Sequence, residues 1–290
     1  MTTGTVASIT LGGKSARPQH QEGSTVTLPN PVDFSGRSVI VTGGTKGIGF
    51  VIAETFLAAG ANVLVCGRNE PEKLPSADGR TAAFKATDVR DPADAAALVQ
   101  DAVDRFGRLD VLINNAGGSP DADAATVSPR FVEKIVALNL LAPFNVAQAA
   151  NAVMQTQDNG GAIINIGSVS GIDPQPGTAA YSAAKAGLLV LTKALALEWA
   201  PKVRINHITT GLIRTEAAAE VYGADGGAAV TEIIPMERMA VPSDIANSCL
   251  FLASSLSSYV TGTDIAVHGG GEYPARYLAT HPELFSRTSS

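Results

Sequence analysis

With 290 residues, 45 % of them hydrophobic, and a net charge of −6, the chain is long enough for one large α/β domain, and no linker or internal repeat divides it. No Lys/Arg run stands out and aromatic residues make up only 5 %, which argues against a nucleic-acid groove or a base-stacking platform. Two cysteines are too few for a disulfide framework, no basic-then-apolar leader is visible and no run of about 18 apolar residues occurs, so the expectation is a soluble cytoplasmic protein without a membrane partner.

Residues 1–33 are rich in Thr, Ser, Gly, Gln and Pro without sustained periodicity and read as an extended or disordered arm. Ser38 to Val41 is apolar and β-branched, which suits a strand buried on both faces of a parallel sheet. After Thr42-Gly43-Gly44-Thr45-Lys46-Gly47-Ile48-Gly49, the residues Val51, Ile52, Ala53, Phe56 and Leu57 recur at helical spacing until Gly60. The glycines let the backbone approach a ligand, and the new helix aims its unpaired N–H groups at it, as a pyrophosphate requires. The spacing Gly-x3-Gly-x-Gly is looser than the commonest dinucleotide fingerprint, so the turn alone leaves a ligand site and a bare turn evenly matched.

Asn62 to Cys66 is the second strand and completes a βαβ unit; Ala82 to Thr87 is the third. Asp91-Pro92 opens a helix that ends at Phe106-Gly107. A fourth strand, Leu109 to Ile113, stops in Asn114-Asn115-Ala116-Gly117, where turn chemistry is the ordinary reading. A long helical region, Pro129 to about Gln155 with a kink at Pro143, leads to strand five, Ala162 to Ile166, closed by Gly167-Ser168. Thr178 to Ala200 reads as a strong helix, and Val203 to Ile208 as strand six. The Gly-rich segment Thr209 to Val230 has weak periodicity and is expected to be a mobile lid containing some helix. A helix from Pro242 to Ser254 and a last strand, Asp264 to His268, complete a β/α alternation whose natural fold is a doubly wound Rossmann-type parallel sheet of about seven strands. The domain then spans 34–271, with 272–290 as a tail.

Tyr181-Ser182-Ala183-Ala184-Lys185 places a phenol and an ammonium on one helix face, one turn apart. A free tyrosine has a pKa of about 10, and a nearby lysine charge favours the phenolate, so the pair can serve as an acid/base catalyst. By itself such a pair is more often a half-buried aromatic beside a solvated charge. A hydrolase built on Ser168 or Ser170 with His20, His207, His268 or His281 fails locally, because neither serine has glycine two residues away on both sides. Cys and His are too few and scattered for a metal cluster.

Taken together, Thr42-Gly43-x3-Gly47-Ile48-Gly49, Asp88-Val89, Asn114-Asn115-Ala116-Gly117, Asn139, Ser168 and Tyr181-x3-Lys185 occur in the order of the short-chain dehydrogenase/reductase family in its single-domain form, which the chain resembles from Phe34 to Gly270. The resemblance implies that Tyr181 exchanges a proton with the substrate oxygen, that Lys185 lowers its pKa and holds the nicotinamide ribose, that Ser168 polarises the carbonyl, and that Asn139 anchors a relay water. It also implies a cofactor seat at Gly43, Thr45, Lys46, Gly47, Ile48 and Gly49. Asp88 and Val89 would lie at the adenine, Asn115, Ala116 and Gly117 on the ribose side, and Gly211, Ile213 and Thr215 at the carboxamide. Two departures are visible: Thr210 stands where the family usually has Pro, and His268 where Asp or Asn is common, with a satisfied structural role expected for that histidine.

NAD-binding members usually carry an acid at the end of strand two, whereas this chain has Gly67 followed by Arg68. With Lys46 opposite, that pattern reads as NADP(H), a guanidinium and an ammonium gripping a 2′-phosphate. The expected partners are a small carbonyl or alcohol substrate and further copies of the chain, as a homotetramer or dimer through the helices near Pro129 to Gln155 and Thr178 to Ala200. The rival is a non-catalytic NADP-binding redox sensor, which has no use for Asn139, Ser168, Tyr181 and Lys185 together.

Overall fold

Five consecutive buried residues, Ser38–Thr42, form β1, and the rest of the sheet grows from both its edges. A computed structural model describes residues 30–216, 222 and 227–281. The expected arm therefore falls almost wholly outside the described residues, as do 217–221 and 223–226 of the expected lid and 282–290 of the tail. Seven strands run in the order β5 (Ala83–Ala86), β2 (Asn62–Gly67), β1, β6 (Val111–Asn114), β7 (Gly161–Ile166), β8 (Val203–Thr210) and β9 (Asp264–Val267), every pair parallel. This is the doubly wound sheet expected of the alternation.

Period-2 alternation sends successive strand residues to opposite faces. Val39, Val41, Val63, Val65 and Ile164 pack under α1 (Gly47–Ala58) and α6 (Pro242–Ala253). Ile40, Leu64, Leu112 and Ile163 pack under α2 (Pro92–Phe106), α4 (Ala142–Met154) and α5 (Ala179–Trp199). Each such side chain contributes about 1.5–3 kcal/mol by leaving water. Phe34 seals the near end of the α1 layer, edge-on to Phe56 at 5.1 Å. Cys66 and Cys249 are buried and unbridged, and burial pushes the Cys66 thiol up to about 12. By length and composition, Pro129–Met154 and Ala179–Trp199 could each cross a bilayer. Their apolarity has a nearer cause in this fold, since Val146, Ala150, Met154, Leu188 and Leu195 are buried inside it.

Caps set the boundaries that the sequence signalled. Asp91 accepts from Ala93 N and Asp94 N ahead of Pro92, Gly107 closes α2 at φ 77°, and Ser128 accepts from Phe131 N to start α3 (Pro129–Val136). The expected kink at Pro143 takes the form of a π-turn, Ala137–Leu141, between α3 and α4. Pro143 has no N–H to give the carbonyl of residue 139, and the ladder widens just ahead of it, Ala142 N reaching Ala137 O. Two of the short elements among the described residues go beyond the sequence expectation. One is the hairpin β3 (Ser76–Ala77) and β4 (Arg80–Thr81), whose Asp78-Gly79 turn, φ 49° and 75°, is the local signal for it. The other is the helix Ala275–Thr280, which lies within the segment assigned to the tail.

Candidate active site

β1 connects to β2 on one side of the sheet while β6 pairs with its other edge, so a crevice opens beyond their carboxyl ends. Gly43 (φ 62°) and Gly47 (φ 54°) adopt left-handed backbone in the turn that floors it. A Cβ at Gly49 would overlap Asn115 Nδ2 and Gly43 O, so only glycine lets α1 start this close to the turn. The Lys46 cap position has no side-chain cap and the first turn of α1 carries no acid, which leaves its N–H groups facing the crevice. Asn115 staples the two strand ends: its Nδ2 donates to Thr42 O (2.9 Å) and Gly43 O (3.2 Å), while Thr42 Oγ1 accepts from Asn115 N and Ala116 N, both at 3.0 Å.

The resulting cleft encloses about 630 Å³. It brings together Gly43, Thr45, Lys46, Gly47, Ile48 and Gly49 with Arg68, Asp88, Val89, Asn115, Ala116, Gly117 and Thr215. The glycine cradle and the uncapped helix end fit a pyrophosphate. A Cβ at Gly67 would press on Thr45 at 3.3 Å, so a longer acidic residue there would have to displace it. Arg90, which the sequence did not single out, also lines the cleft and clasps Asp88 with two bonds, at 2.8 and 2.5 Å. That pairing holds the Asp88 carboxyl below its ordinary value.

α5 presents Tyr181 and Lys185 on one face, the Lys185 Nζ 5.7 Å from the centre of the Tyr181 ring. Lys185 is buried and donates to Ile166 O at the end of β7 (2.7 Å). Burial pushes its ammonium down to about 8. Ser168, two residues beyond β7, lies beside the Tyr181 phenol, and its hydroxyl accepts from Ser170 N at 3.2 Å. Burial pushes the Tyr181 phenol up, the Ser168 hydroxyl pulls it down and the neighbouring Tyr222 pushes it up again; the net direction is upward. The lowering expected from Lys185 does not prevail, and desolvation is the reason. Asn139, fully buried in the π-turn, exchanges two bonds with Gly118, accepting from its N–H at 2.8 Å and donating to its carbonyl at 3.0 Å, and also donates to Ile135 O. It thereby anchors the loop after β6; a Cβ at Gly117 would come within 2.8 Å of Asn139 Oδ1 and 3.3 Å of Lys185 Nζ.

Tyr181, Lys185, Gly211 and Ile213, also expected at the cofactor, do not reach the cleft lining. Gly211 is small because the His268 main chain lies where its Cβ would stand, and the Ile213 side chain is buried in the core while its backbone bridges Ala240. Thr210 replaces the rigid φ of a proline with a hydrogen bond, donating to Gly167 O at 2.9 Å. His268 is not the satisfied residue expected: its buried Nδ1 has no partner among the described residues. Asn114 is a core residue, donating to Pro143 O and to Asn165 Oδ1, and Asn165 continues to Thr192. Neither Asn165 nor Thr192 carries a sequence signal apart from being polar in an apolar element. Tyr222 does carry one, as the only aromatic residue in the Ala/Gly-rich segment.

Fold and site together define a dinucleotide cleft beside a Ser–Tyr–Lys cluster. The chain matches the family described as Enoyl-(Acyl carrier protein) reductase over residues 43–272. A 3alpha-hydroxysteroid dehydrogenase of Mediterraneibacter gnavus is 37 % identical over 247 residues, spanning 81 % of this chain and 97 % of that protein. The 3-oxoacyl-[acyl-carrier-protein] reductase of Chlamydia trachomatis is 36 % identical over 241 residues, spanning 81 % and 96 %. Among solved structures, the aldohexose dehydrogenase of Thermoplasma acidophilum superposes with a TM-score of 0.76 at 29 % identity, over 82 % of this chain and 95 % of that one. The chain belongs to the short-chain dehydrogenase/reductase family, oxidoreductases that work with a nicotinamide cofactor.

Proposed function

We propose that the protein moves hydride between NADP(H) and a carbonyl or secondary-alcohol substrate, with Tyr181 as the acid/base. The observation that carries this reading is Tyr181 flanked by Ser168 and by the buried Lys185, whose Nζ lies 5.7 Å from the ring centre, at the same sheet edge as the glycine-floored cleft. The nicotinamide, when bound, supplies or accepts the hydride. Ser168 donates to the substrate oxygen and stabilises charge developing there. Tyr181 gives that oxygen a proton in reduction; its upward-shifted phenol keeps the proton loaded at neutral pH. Lys185 restores charge balance near the phenolate left behind, and Asn139 holds the Gly117-Gly118 backbone against the cofactor side of the site.

NADP(H) rather than NAD(H) is supported by Gly67, Arg68 and Lys46. Both cations are exposed, and no acid stands at the end of β2 to repel a 2′-phosphate. The working form we expect is a cytoplasmic homotetramer acting on a small molecule. Relatives named for hydroxysteroids and 3-oxoacyl thioesters define the first substrate panel.

The test is oxidation of NADPH and of NADH against that panel, for the wild type and for Tyr181→Phe. Turnover is expected with NADPH, and Tyr181→Phe should lose about 10²- to 10⁴-fold in kcat while keeping its cofactor Kd. A variant retaining more than about a tenth of wild-type kcat removes Tyr181 from the acid role.

A further inference from the structure

β8 carries a buried histidine that none of the chemistry above uses. His207 is 1 % exposed. Its Nδ1 lies 2.7 Å from Asp264 Oδ1 on β9, and the same carboxylate accepts from Thr209 N at 3.0 Å and from Thr209 Oγ1 at 2.9 and 2.8 Å. Burial pushes the Asp264 carboxyl up, but the bonds from His207 and Thr209 outweigh it and hold the group below its ordinary value. The acceptor is thus a carboxylate, and Nδ1 is the nitrogen that carries the proton. Tautomer and ring plane are both fixed.

The other ring nitrogen, Nε2, is buried without a partner among the described residues. Burying it unpaired is costly, and an apolar side chain would avoid the cost. What the far edge of the ring does instead is fill the space over Gly167: a Cβ built there would overlap His207 Cε1 and Nε2. The pairing Asn165–His207 in the β7–β8 register puts Gly167 and His207 on one sheet face, and Gly167 N continues the ladder to Ile208 O at 2.7 Å. Thr210 Oγ1 holds the Gly167 carbonyl. Three restraints from β8 therefore converge on the residue that precedes Ser168.

We propose that His207, oriented by Asp264, is a positioning residue for Ser168. Its ring edge, packed on Gly167, fixes the main chain that carries the Ser168 hydroxyl beside Tyr181. The inference rests on the role given to Ser168 above.

His207→Asn keeps a donor for Asp264 and removes the far ring edge. Its kcat should fall at least about tenfold, with cofactor Kd and substrate KM within about threefold of wild type, because misplacing a reacting group is felt in the chemical step. Adding Gly167→Ala refills the vacated volume and should return kcat to within about threefold of wild type. A loss caused by general loosening would not be repaired by a second substitution. Melting temperatures of the four proteins form a cycle that needs no turnover: Gly167→Ala should lower Tm in the wild type and leave or raise it in the His207→Asn background. Additive Tm shifts, or a His207→Asn enzyme with wild-type kcat, overturn the proposal and leave the oxidoreductase reading intact. A wild-type protein inert towards every carbonyl tested overturns that reading instead, while the melting cycle still reports the packing.

Discussion

Arg68 and Lys46 line the cleft as exposed cations, and neither forms a salt bridge among the described residues, whereas Arg90 spends its charge on Asp88. Charge-assisted hydrogen bonds contribute about 1.5–3 kcal/mol each, so Arg68→Ala should weaken NADPH binding roughly 10- to 100-fold and barely alter NADH. Equal losses for both cofactors in a fluorescence titration would remove Arg68 from phosphate recognition. Lys185 gives a second residue-scale expectation. Its folded-state value, about 8, lies below the ordinary 10.5, so between those pH values the unfolded chain holds a proton that the native protein has released. Native stability then rises with pH through that window, and the full penalty of the buried charge is felt below it. Lys185→Met should be inactive yet more stable than wild type by roughly 1–3 kcal/mol at pH 7, the gain shrinking above pH 8 in denaturant melts. A less stable variant would mean that the bond to Ile166 O outweighs the desolvation.

At the scale of elements, the π-turn is what delivers Asn139 to the loop after β6. In a regular α-helix Pro143 would clash with the carbonyl of residue 139; widening that turn relieves the clash and accompanies the inward placement of Asn139. Asn139→Ala leaves the Gly118 N–H and carbonyl to water and should cost roughly 1–3 kcal/mol. It should also weaken cofactor binding, because Gly117 lines the cleft and its neighbour loses its anchor. Unchanged cofactor Kd with normal turnover would reduce Asn139 to a structural residue. The sequence displayed Pro143 plainly, but a proline specifies only a break in the ladder, and whether that break becomes a kink or a π-turn depends on what the flanking helices pack against.

At the scale of the whole molecule, α5 turns two kinds of face outward and inward. Leu188 and Leu195 are buried, while Val190 is 65 % and Leu197 87 % exposed, with the small side chain of Ala194 also exposed between them. An exposed apolar stripe of small and branched side chains on α5, flanked by the exposed Lys193 and Glu198, suits a second copy of the chain. Light scattering at micromolar concentration should give four times the 29.7 kDa chain, and Leu197→Glu should split that assembly. A monomer mass for the wild type would refute the oligomer.

Glycine spacing, strand alternation, caps and the Tyr181–Lys185 interval are local properties, and the sequence by itself determined them. From these followed the parallel sheet, its helix layers, and a cleft holding Gly43, Arg68, Asn115 and Thr215 together. Side-chain partners between distant segments are not local. Burial decided that Tyr181 shifts upward rather than downward, that Ile213 faces the core and that Asn114 joins Asn165 and Thr192. Only the assembled sheet puts His207 against Gly167, because the chain between them folds away as α5 and its flanking turns before β8 returns beside β7. Residue type and spacing fix which chemistry is available; desolvation and strand register, which exist only once the chain is packed, fix which groups meet and at what protonation.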